Sequence, residues 1–338
     1  MNQHISIDII EKSNVGELRR VVSDLGKSIG LTEENIGKLS IITNEMSTNI
    51  LKHAGCSGKV ITKRLTYNGV KGIEVISIDS GVGIKNIGAA LRDGFSTAGS
   101  MGTGLGAIKR LSQEFDIYSQ PEKGTIVMSR VWEDSEVVQL HKDSVDFGVF
   151  SMAKPGQEVC GDDWLIRTEK DSLCILVSDA LGHGEGAAKT SREAVKIFIQ
   201  DKESPLEDKL LNLHEGLKGT RGAAIAIAHV NLNKDSINYI GVGNISGRIF
   251  YNETYQSCIS TEGIVGANMG KYQRFTYKFF EESVFIMNTD GFATSINFNH
   301  YPGILNKKSS LIAALIYRDF STKNDDMAVV VVRNLKRR

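Results

Sequence analysis

A glycine-rich segment, Asp93 to Leu111, leads directly into a predicted helix. Five glycines fall within thirteen residues before Ile108 and Leu111 begin a helical apolar spacing; they are Gly94, Gly99, Gly102, Gly104 and Gly106. A backbone without Cβ atoms can curve closely around an anion, and the following helix offers free N–H groups and the positive end of its dipole. Because flexible linkers rarely run straight into an amphipathic helix, the segment predicts a phosphate-covering loop.

The two commonest phosphate loops do not match this segment. No Gly-Lys-Ser or Gly-Lys-Thr sequence closes it, which excludes a P-loop, and Gly102 to Gly106 does not form the dinucleotide-binding pattern after a strand. The sequence therefore calls for a different nucleotide-binding fold.

The composition of the chain sets wider limits. A length of 338 residues favours two domains, each large enough to bury a core of its own. Lysine plus arginine equals aspartate plus glutamate at 40 each, which argues against binding to nucleic acid or to an anionic membrane. No apolar run approaches the ~20 residues that span a bilayer. The four cysteines lack metal spacing and are expected to be reduced thiols of a cytoplasmic protein.

The first half begins with a strand at residues 5–9 and a helix at residues 15–29, ended by Gly30. A second helix is predicted from Thr32 to about His53. On this second helix Glu45, Asn49 and His53 recur every four residues and share one face. Such a face is usually solvated, but an acid, an amide and an imidazole in register also suit hydrated Mg²⁺ and a nucleophile that must lose a proton.

A second polar motif follows a predicted strand at residues 73–78, which pairs with one at residues 60–65. The motif is Asp79-Ser80-Gly81-Val82-Gly83. A carboxylate there can accept a hydrogen bond from an amine-bearing base that approaches the glycine backbone, although a plain turn explains the motif equally well. Strands at residues 117–118 and 125–131 complete this half.

Taken in chain order, the polar face of the second helix, the Asp79 motif and the glycine-rich segment resemble the N, G1 and G2 boxes of the GHKL (Bergerat-fold) ATPases. The resemblance covers residues 1 to about 133. Asp93-Gly-Phe-Ser-Thr and residues 104–116 are most similar to RsbT-type serine/threonine kinases. The resemblance implies ATP and Mg²⁺ as cofactors, Glu45 as general base, Asn49 as Mg²⁺ ligand and Asp79 as the residue that recognises adenine, assisted by Thr125. The other nucleotide-binding residues that it implies are His53, Gly81, Gly83, Gly102, Thr103, Gly104, Leu105 and Gly106.

The polar, irregular stretch 134–146 is predicted to link the domain 1–133 to a second domain, 147–338. In that domain strands are expected at residues 165–167, 173–177, 223–230, 236–240, 248–251, 284–288 and 327–332. Helices are expected at residues 187–199, 206–217 and 311–317. This alternation indicates a mixed α+β fold with much antiparallel sheet.

Acidic residues stand at turns beside four of these predicted strands. They are Asp162 and Asp163, Asp179, Asp290, and Asp325 and Asp326. A single Asp at a turn is ordinary loop chemistry, whereas several clustered carboxylates repel one another unless cations neutralise them. Ligands that are all oxygen suit Mg²⁺ or Mn²⁺ rather than zinc.

This series resembles the metal-dependent PPM-type protein phosphatases, specifically the SpoIIE/RsbX branch, over residues 145 to 334. The resemblance implies two Mn²⁺ or Mg²⁺ ions bridged by the catalytic Asp162 and Asp179, with the Ala180 carbonyl, Asp290 and Asp325 as further ligands. Asp163 and Asp326 remain alternatives to their neighbours. The family usually has Gly where Ala180 stands, and the arginine clamp of the wider family is missing. We expect His183 to be a solvent-facing turn residue, and Arg221 to form a structural salt bridge rather than to touch substrate phosphate.

Together the resemblances imply an α+β protein of two domains, a Bergerat-type α/β sandwich followed by a PPM-type α-β-β-α sandwich. The expected function is phosphorylation of Ser/Thr on a partner protein and dephosphorylation of phosphoserine or phosphothreonine. The expected partner is a STAS-domain antagonist or a sensor-scaffold protein, in a switch that controls a sigma factor or an output enzyme. In an alternative hypothesis the first domain only binds nucleotide and sequesters a partner, beside an active phosphatase. A third hypothesis makes its ATP an allosteric signal.

Overall fold

The computed structural model describes residues 4–67, 69–92, 104–134, 145–169, 171–252 and 254–335. The chain forms two compact units. The first comprises Met1–Lys142 together with Tyr301–Leu315, and the second comprises Asp143–His300 together with Ile316–Arg338. The sequence assigned residues 301–315 to the second domain, so this short segment is an addition to the first unit that the motifs did not indicate.

The first unit is built on a five-stranded antiparallel sheet with the order β1-β2-β3-β5-β4. Its strands are β1 (Ile5–Ile9), β2 (Gly58–Tyr67), β3 (Val70–Asp79), β4 (Glu114–Gln120) and β5 (Gly124–Trp132). Its helices in the first part of the chain are α1 (Lys12–Ile29), α2 (Glu33–Asn49), α3 (Ile87–Ala90) and α4 (Gly104–Leu111). A π-helical turn, Ile50–Ala54, follows α2 directly.

Helices α1, α2 and α4 supply the apolar core on one face of this sheet. Leu18 and Val22 of α1 and Leu39 and Ile42 of α2 are fully buried, as the helical spacing predicted, and Ile108 of α4 joins them. Gly30 ends α1 in the left-handed conformation, and the Thr32 hydroxyl caps α2 by accepting the Asn35 N–H.

A cluster of charged side chains is buried against the same sheet. Lys63 and Arg130 contact Glu74 at 3.1 and 2.6 Å, and Arg130 also lies 3.5 Å from Glu114. The Trp132 indole N–H donates to Glu114 at 3.0 Å. Because every member has an opposite charge or a donor beside it, the burial of these charges is compensated.

The second unit contains two five-stranded sheets, with the orders β13-β10-β9-β8-β7 and β12-β11-β14-β15-β6. The first sheet comprises β7 (Asp162–Glu169), β8 (Ser172–Ala180), β9 (Ala223–Asn231), β10 (Ser236–Val242) and β13 (Phe275–Lys278). The second comprises β6 (Val145–Met152), β11 (Ser246–Tyr251), β12 (Thr254–Cys258), β14 (Val284–Asn288) and β15 (Met327–Asn334). The helices of this half of the chain are α5 (Glu185–Gln200), α6 (Leu206–Gly216) and α7 (Ser309–Phe320), with a short 3₁₀ helix at Ile304–Asn306.

The two sheets of the second unit pack face to face. Their shared core joins Leu173 and Val177 of β8 to Met287 of β14 and Val330 of β15. A second core lies under α5 and α6, where Phe198 and Leu210 cover the outer face of the first sheet. On the other sheet, Tyr317 of α7 stacks on Phe150 at a centroid distance of 4.4 Å. This layering confirms the expected α-β-β-α sandwich.

Most predicted elements occur, with longer strands than the sequence indicated. The main difference is at the end of α2, which stops at Asn49 and passes into the π-helical turn instead of running to His53 as an α-helix. Residues 135–144 of the predicted linker lie outside the described residues, so the domain limits stay a prediction. Within the described residues, no helix is long and apolar enough to cross a membrane.

Candidate functional site

In the first unit, the end of α2 meets the start of α4. An ideal Cβ on Gly104 would lie 3.1 Å from Asn49 Oδ1 and 3.3 Å from Glu45 Oε2. Both side chains are half-buried. The structure therefore brings together Glu45 and Asn49 of the helix motif with the first described residue of the glycine-rich segment, where a side chain would crowd the two polar groups.

His53, the third member of the predicted polar face, follows the end of α2 and does not continue its α-helical spacing. It is exposed on the π-helical turn, whose i→i+5 hydrogen bonding departs from the spacing of an α-helix. The turn also directs the Ala54 carbonyl toward Val82, whose N–H donates to it at 3.3 Å. The π-helical turn thus holds the Asp79 motif against α2.

Asp79 lies at the end of β3, as predicted, and organises the backbone around it. Its Oδ1 accepts the Gly81 N–H at 2.9 Å and the Thr125 N–H at 3.2 Å. The Thr125 hydroxyl is within 2.8 Å of the Ser119 hydroxyl, and Ser119 also accepts the Ile84 N–H at 2.8 Å. Ser119 is a contributor that the sequence did not single out, since a lone Ser on a strand gives no signal.

The glycines near Asp79 occupy positions that exclude a side chain. A Cβ on Gly81 would lie 2.0 Å from the Ala54 carbonyl oxygen, and one on Gly83 would lie 2.2 Å from that of Gln120. Gly124 has φ +84° and would place a Cβ 2.1 Å from the Asp79 carbonyl oxygen. Such close backbone approach explains the glycines in the motif without invoking a ligand.

The glycine-rich segment is only partly described. Gly102 and Thr103 lie outside the described residues, as do residues 93–101. Gly104, Leu105 and Gly106 form the first turn of α4, in which Gly106 is buried and Leu105 packs against the core. Gly104 therefore begins a helix at the end of the predicted phosphate-covering segment, and a helix N-terminus is where backbone N–H groups can face an anion.

In the second unit, the acidic residues come from the ends of four strands in two sheets. Asp162 begins β7 and lies directly opposite Asp179, near the end of β8. Asp290 follows β14 after one residue, and Asp325 and Asp326 immediately precede β15. Asp326 is near Gly161, where a Cβ would lie 2.6 Å from Asp326 Oδ2, so the two sheets bring their carboxylates to one edge of the sandwich.

The electrostatics of these carboxyl groups reflect their crowding. Burial and the charge of Asp179 raise the pKa of Asp162 well above its ordinary value. Burial, Asp290 and Asp325 raise the pKa of Asp179 to about 7, and burial and Asp325 raise that of Asp290. Burial, with Asp162 and Asp326, raises the pKa of the neighbouring Cys160 thiol to about 12.

Asp290 and Asp326 are each held by a group that the sequence did not identify. The Asn244 amide donates to Asp290 Oδ2 at 2.7 Å, and the Lys154 N–H donates to Asp326 Oδ1 at 2.8 Å. Asp326 is 3% exposed, more deeply buried than Asp325, whose Oδ1 accepts the Asp326 N–H. The Asp163 carboxylate makes a local hydrogen bond, in which it accepts the N–H of the next residue, Trp164, at 2.8 Å.

The carboxylates supply the oxygen ligands that divalent cations prefer, but they are not arranged as a complete coordination sphere. Asp162, 5% exposed, and Asp326 each bury an Oδ2 that has no hydrogen-bond donor. Such orphaned oxygens are costly unless a cation or a proton satisfies them. Across the described residues, no three His, Cys, Asp or Glu side chains converge closely enough to hold a metal ion.

Two other residues considered from the sequence lie in the chain segments that follow β8 and precede β9. His183 is exposed at a bend after β8, as expected. The Arg221 guanidinium donates to the Leu181 carbonyl at 3.4 Å, so it makes a hydrogen bond to the backbone where the sequence suggested a structural salt bridge.

Comparison with protein families divides the chain in the same order as its motifs. Residues 10–130 match the family described as histidine kinase-like ATPase domain, and residues 169–335 match the family described as stage II sporulation protein E (SpoIIE). Asp162 precedes the second match, while Asp179, Asp290 and Asp325 lie inside it.

Individual relatives fall in the same two classes. The serine/threonine-protein kinase RsbT of Bacillus subtilis (strain 168) is 30% identical over 132 residues, which is 39% of this chain and 98% of the relative. The phosphoserine phosphatase RsbX of the same organism is 28% identical over 151 residues, 42% of this chain and 72% of the relative.

Two solved structures are similar to part of this chain. One described as the bacterial stressosome, a modular system adapted to control secondary messenger signalling, covers 56% of this chain and 99% of its own at 25% identity and a TM-score of 0.52. The structure of RsbX in complex with magnesium covers 57% and 97% at 20% identity and a TM-score of 0.50, and so shows a shared fold. The chain belongs to the RsbT-like family of histidine kinase-like ATPase domains through its first part, and that part is followed by a SpoIIE-type phosphatase domain.

Proposed function

We propose that this protein is a bifunctional regulator that phosphorylates Ser/Thr of a partner protein with ATP and removes phosphate from phosphoserine or phosphothreonine. The observation that carries the proposal is that each half of the chain gathers the polar groups its chemistry needs. Glu45 and Asn49 lie against Gly104 in the first unit, and Asp162 lies opposite Asp179 in the second.

In the first unit the residues would divide the work of phosphoryl transfer. Asp79 and Thr125 would recognise adenine, Asn49 would hold Mg²⁺, and the glycine-rich segment would cover the triphosphate. Glu45 would accept the proton of the attacking hydroxyl. Its position supports this role, because a half-buried carboxylate beside the loop junction can reach a group at the end of the triphosphate. Positioning and neutralisation of charge supply most of the catalysis in such reactions.

In the second unit the carboxylates would hold two Mg²⁺ or Mn²⁺ ions. Asp162 and Asp179 would bridge them, and the Ala180 carbonyl, Asp290 and Asp325 would be further ligands, with Asp326 an alternative to Asp325. Bound divalent ions activate water and neutralise phosphate charge. Asn244 would keep Asp290 in place through its 2.7 Å hydrogen bond. The unpartnered oxygens of Asp162 and Asp326 support a cation at this edge.

The partner class follows from the relatives. RsbT is named as a serine/threonine kinase and RsbX as a phosphoserine phosphatase, and a related structure is described as part of the bacterial stressosome. We infer a cytoplasmic partner switch in which a STAS-domain or sensor-scaffold protein carries the phosphate and controls a sigma-factor regulator or an output enzyme.

The test uses a STAS-domain partner, labelled ATP and the full chain. Wild-type protein should transfer label to Ser or Thr of the partner, and after removal of ATP, Mn²⁺ should cause release of phosphate. Glu45→Gln should lose transfer and keep ATP binding, while Glu33→Gln, an exposed change at the start of the same helix, should behave as wild type. Absence of both transfer and release with every partner tried would overturn the proposal.

The same variants decide between turnover and sequestration. If the first unit acts only by holding a partner when nucleotide is bound, Glu45→Gln leaves complex formation unchanged and wild type transfers no label. The phosphatase activity would then be the only enzymatic activity of the chain, and its rate with and without ATP would reveal whether the nucleotide is an allosteric signal.

A further inference from the structure

An open cleft of about 660 Å³ lies beside the end of β8 in the second unit. It is lined by Gly186, Lys189, Thr190, Glu193, Gly219, Thr220 and Arg221. Thr190 and Thr220 turn their hydroxyls to backbone carbonyls, those of Gly186 and Leu217. The charged side chains therefore determine what this cleft attracts.

The pairing of β8 with β9 places Arg221 beside the chain segment that follows β8, the strand that carries Asp179. Ala180 pairs with Ala223, and the Leu181 N–H then donates to the Gly222 carbonyl at 3.1 Å. Arg221 follows in register and donates to the Leu181 carbonyl at 3.4 Å. Its guanidinium thus contacts the backbone of the residue that lies two positions after Asp179 in the chain.

Two glycines make room for this guanidinium. A Cβ on Gly182 would lie 2.9 Å from Arg221 Nη1, and a Cβ on Gly186 would lie 2.6 Å from Nη2. The side chain therefore lies flat across the start of α5 without steric conflict. An arginine placed over bare backbone keeps the remaining donors of its planar fork available to a ligand.

The rest of the cleft follows one face of α5. Gly186, Lys189, Thr190 and Glu193 are spaced by three, four and seven residues, the spacing of a helical stripe. The stripe runs about 10 Å from Gly186 to Glu193 at the rise of an α-helix. A segment of about three extended residues has the same length.

The cleft attracts anions because its only acid is already neutralised. Glu193 contacts Lys196 at 3.2 Å. Among the described residues Lys189 has no ion-pair partner, and the Arg221 guanidinium donates to the neutral Leu181 carbonyl. The cleft thus presents two cationic groups, Arg221 beside the Leu181 carbonyl and Lys189 on α5.

We propose that this cleft binds the phosphorylated segment of the partner protein, with Arg221 contacting the phosphoryl group and Lys189 an acidic side chain beside it. The inference rests on the proposed phosphatase function and adds to it a preference for acidic sequence around the phosphorylated residue. Charge-assisted hydrogen bonds of this kind give both affinity and direction to a bound peptide.

Binding of peptide probes to the full chain in Mn²⁺ tests the cleft. The probes are fluorescein-labelled peptides carrying the phosphonomethyl analogue of phosphoserine, which the protein cannot hydrolyse, flanked either by glutamates or by alanines. Lys189→Ala should weaken binding of the glutamate-flanked peptide roughly five- to tenfold and leave the alanine-flanked peptide nearly unchanged. Arg221→Ala should weaken both. Lys234→Ala, the same charge change at an exposed turn, should alter neither.

The outcomes separate this inference from the proposed function. Equal affinities for wild type and Lys189→Ala, or equal losses for both peptides, would overturn the assignment of the cleft. Lys189→Glu with a lysine-flanked peptide should restore affinity, which a merely structural role would not do. Hydrolysis of the natural phosphoserine peptide by wild type is scored separately. If no phosphate is released, the phosphatase proposal fails while the binding pattern still decides the cleft.

Discussion

Asp179 lies directly opposite Asp162, and burial together with Asp290 and Asp325 raises its pKa to about 7. Each carboxylate at this edge therefore makes it harder for the others to be charged, and the metal-free protein bears that repulsion in its folded state. The same crowding is what two divalent cations would relieve. Carboxylates placed to hold a cation therefore lower the stability of the metal-free protein.

Replacing Asp179 by Asn should reveal that cost. We expect Asp179→Asn to stabilise the metal-free protein by roughly 1–3 kcal/mol, because a half-buried carboxylate crowded by other carboxylates is replaced by a neutral amide of the same shape. Mn²⁺ should raise the melting temperature of wild type and have little effect on the variant, which should also lose phosphatase activity and keep kinase activity. Calorimetry in EDTA and in Mn²⁺ measures this, with Asp171→Asn at an exposed turn as control. A less stable variant in EDTA would contradict the interpretation.

Gly81 has no Cβ, which allows the backbone beside Asp79 to pack closely against the π-helical turn. The Cβ of an alanine there would lie 2.0 Å from the Ala54 carbonyl oxygen, which accepts the Val82 N–H. The backbone next to Asp79 would have to move away from the π-helical turn, and with it the Gly81 N–H that Asp79 accepts.

We therefore expect Gly81→Ala to weaken nucleotide binding at least tenfold and to destabilise the first unit by roughly 1–3 kcal/mol. Gly37→Ala is the matched control, since Gly37 lies in α2 with open space around its Cβ position and should gain up to about 1 kcal/mol of stability. Titration with a fluorescent ATP analogue and urea denaturation give the two quantities. Unchanged nucleotide affinity in Gly81→Ala would show that this backbone does not shape the pocket.

At the scale of the element, the sheet of the first unit carries the buried ionic cluster. Burial alone would raise the pKa of Glu74, but Lys63 and Arg130 outweigh it and lower the pKa to about 2. For Glu114, burial is likewise outweighed by Arg130 and Lys308, and its pKa also falls to about 2. Lys308 and Ser310, both from the added segment of the same unit, contact Glu114 at 2.9 Å and Arg130 at 2.7 Å.

The sign of the resulting pH dependence follows from these lowered pKa values. A carboxyl group whose folded pKa is below its unfolded value of about 4.3 stabilises the fold above that value and loses the contribution as pH falls toward about 2. Glu74→Gln should destabilise the first unit by about 3–5 kcal/mol at pH 7, because Lys63 and Arg130 lose a buried partner, and the difference should shrink between about pH 4.3 and 2.

The chain provides a local reporter for this measurement. It has two tryptophans, so a Trp164→Phe background leaves Trp132, which lies beside Glu114 in the first unit. Urea denaturation followed by its fluorescence, at pH 7 and pH 3, compares Glu74→Gln with the exposed control Glu17→Gln. A destabilisation by Glu74→Gln that is the same at both pH values would contradict an ionic origin.

This cluster also marks what sequence alone could not predict. Apolar spacing located the cores of α1 and α2, and motif order located Asp79, Asp162 and Asp179, because those signals are local in the chain. The burial of Glu74 and Arg130 was not predicted, since the groups that contact them include Ser310, which is far away in sequence. The π-helical turn after Asn49 was not predicted for a related reason. What stabilises this turn is the contact between Ala54 and Val82, and not a conformational preference of its own residues.

At the scale of the molecule, the proposed reactions oppose each other. One unit would add phosphate at the expense of ATP, and the other would remove it as inorganic phosphate. If both act on the same residue of one partner, the sum is ATP hydrolysis, and the phosphorylated fraction settles where the two rates are equal. That fraction then depends on the ratio of the rates and not on an equilibrium constant, so a modest change in either activity moves it.

The stationary phosphorylated fraction is consequently the quantity that tests the molecule as a whole. With a STAS-domain partner, ATP, Mg²⁺ and Mn²⁺, wild type should hold the partner at an intermediate level while ADP accumulates steadily. Asp179→Asn should drive the partner to complete phosphorylation, after which ADP release stops, and Glu45→Gln should leave it unphosphorylated. Intact-mass spectrometry gives the fraction and a coupled assay gives ADP. If ADP release continues unabated in Asp179→Asn after the partner is fully phosphorylated, the hydrolysis of ATP does not pass through the partner. The two units then do not add and remove phosphate at the same residue.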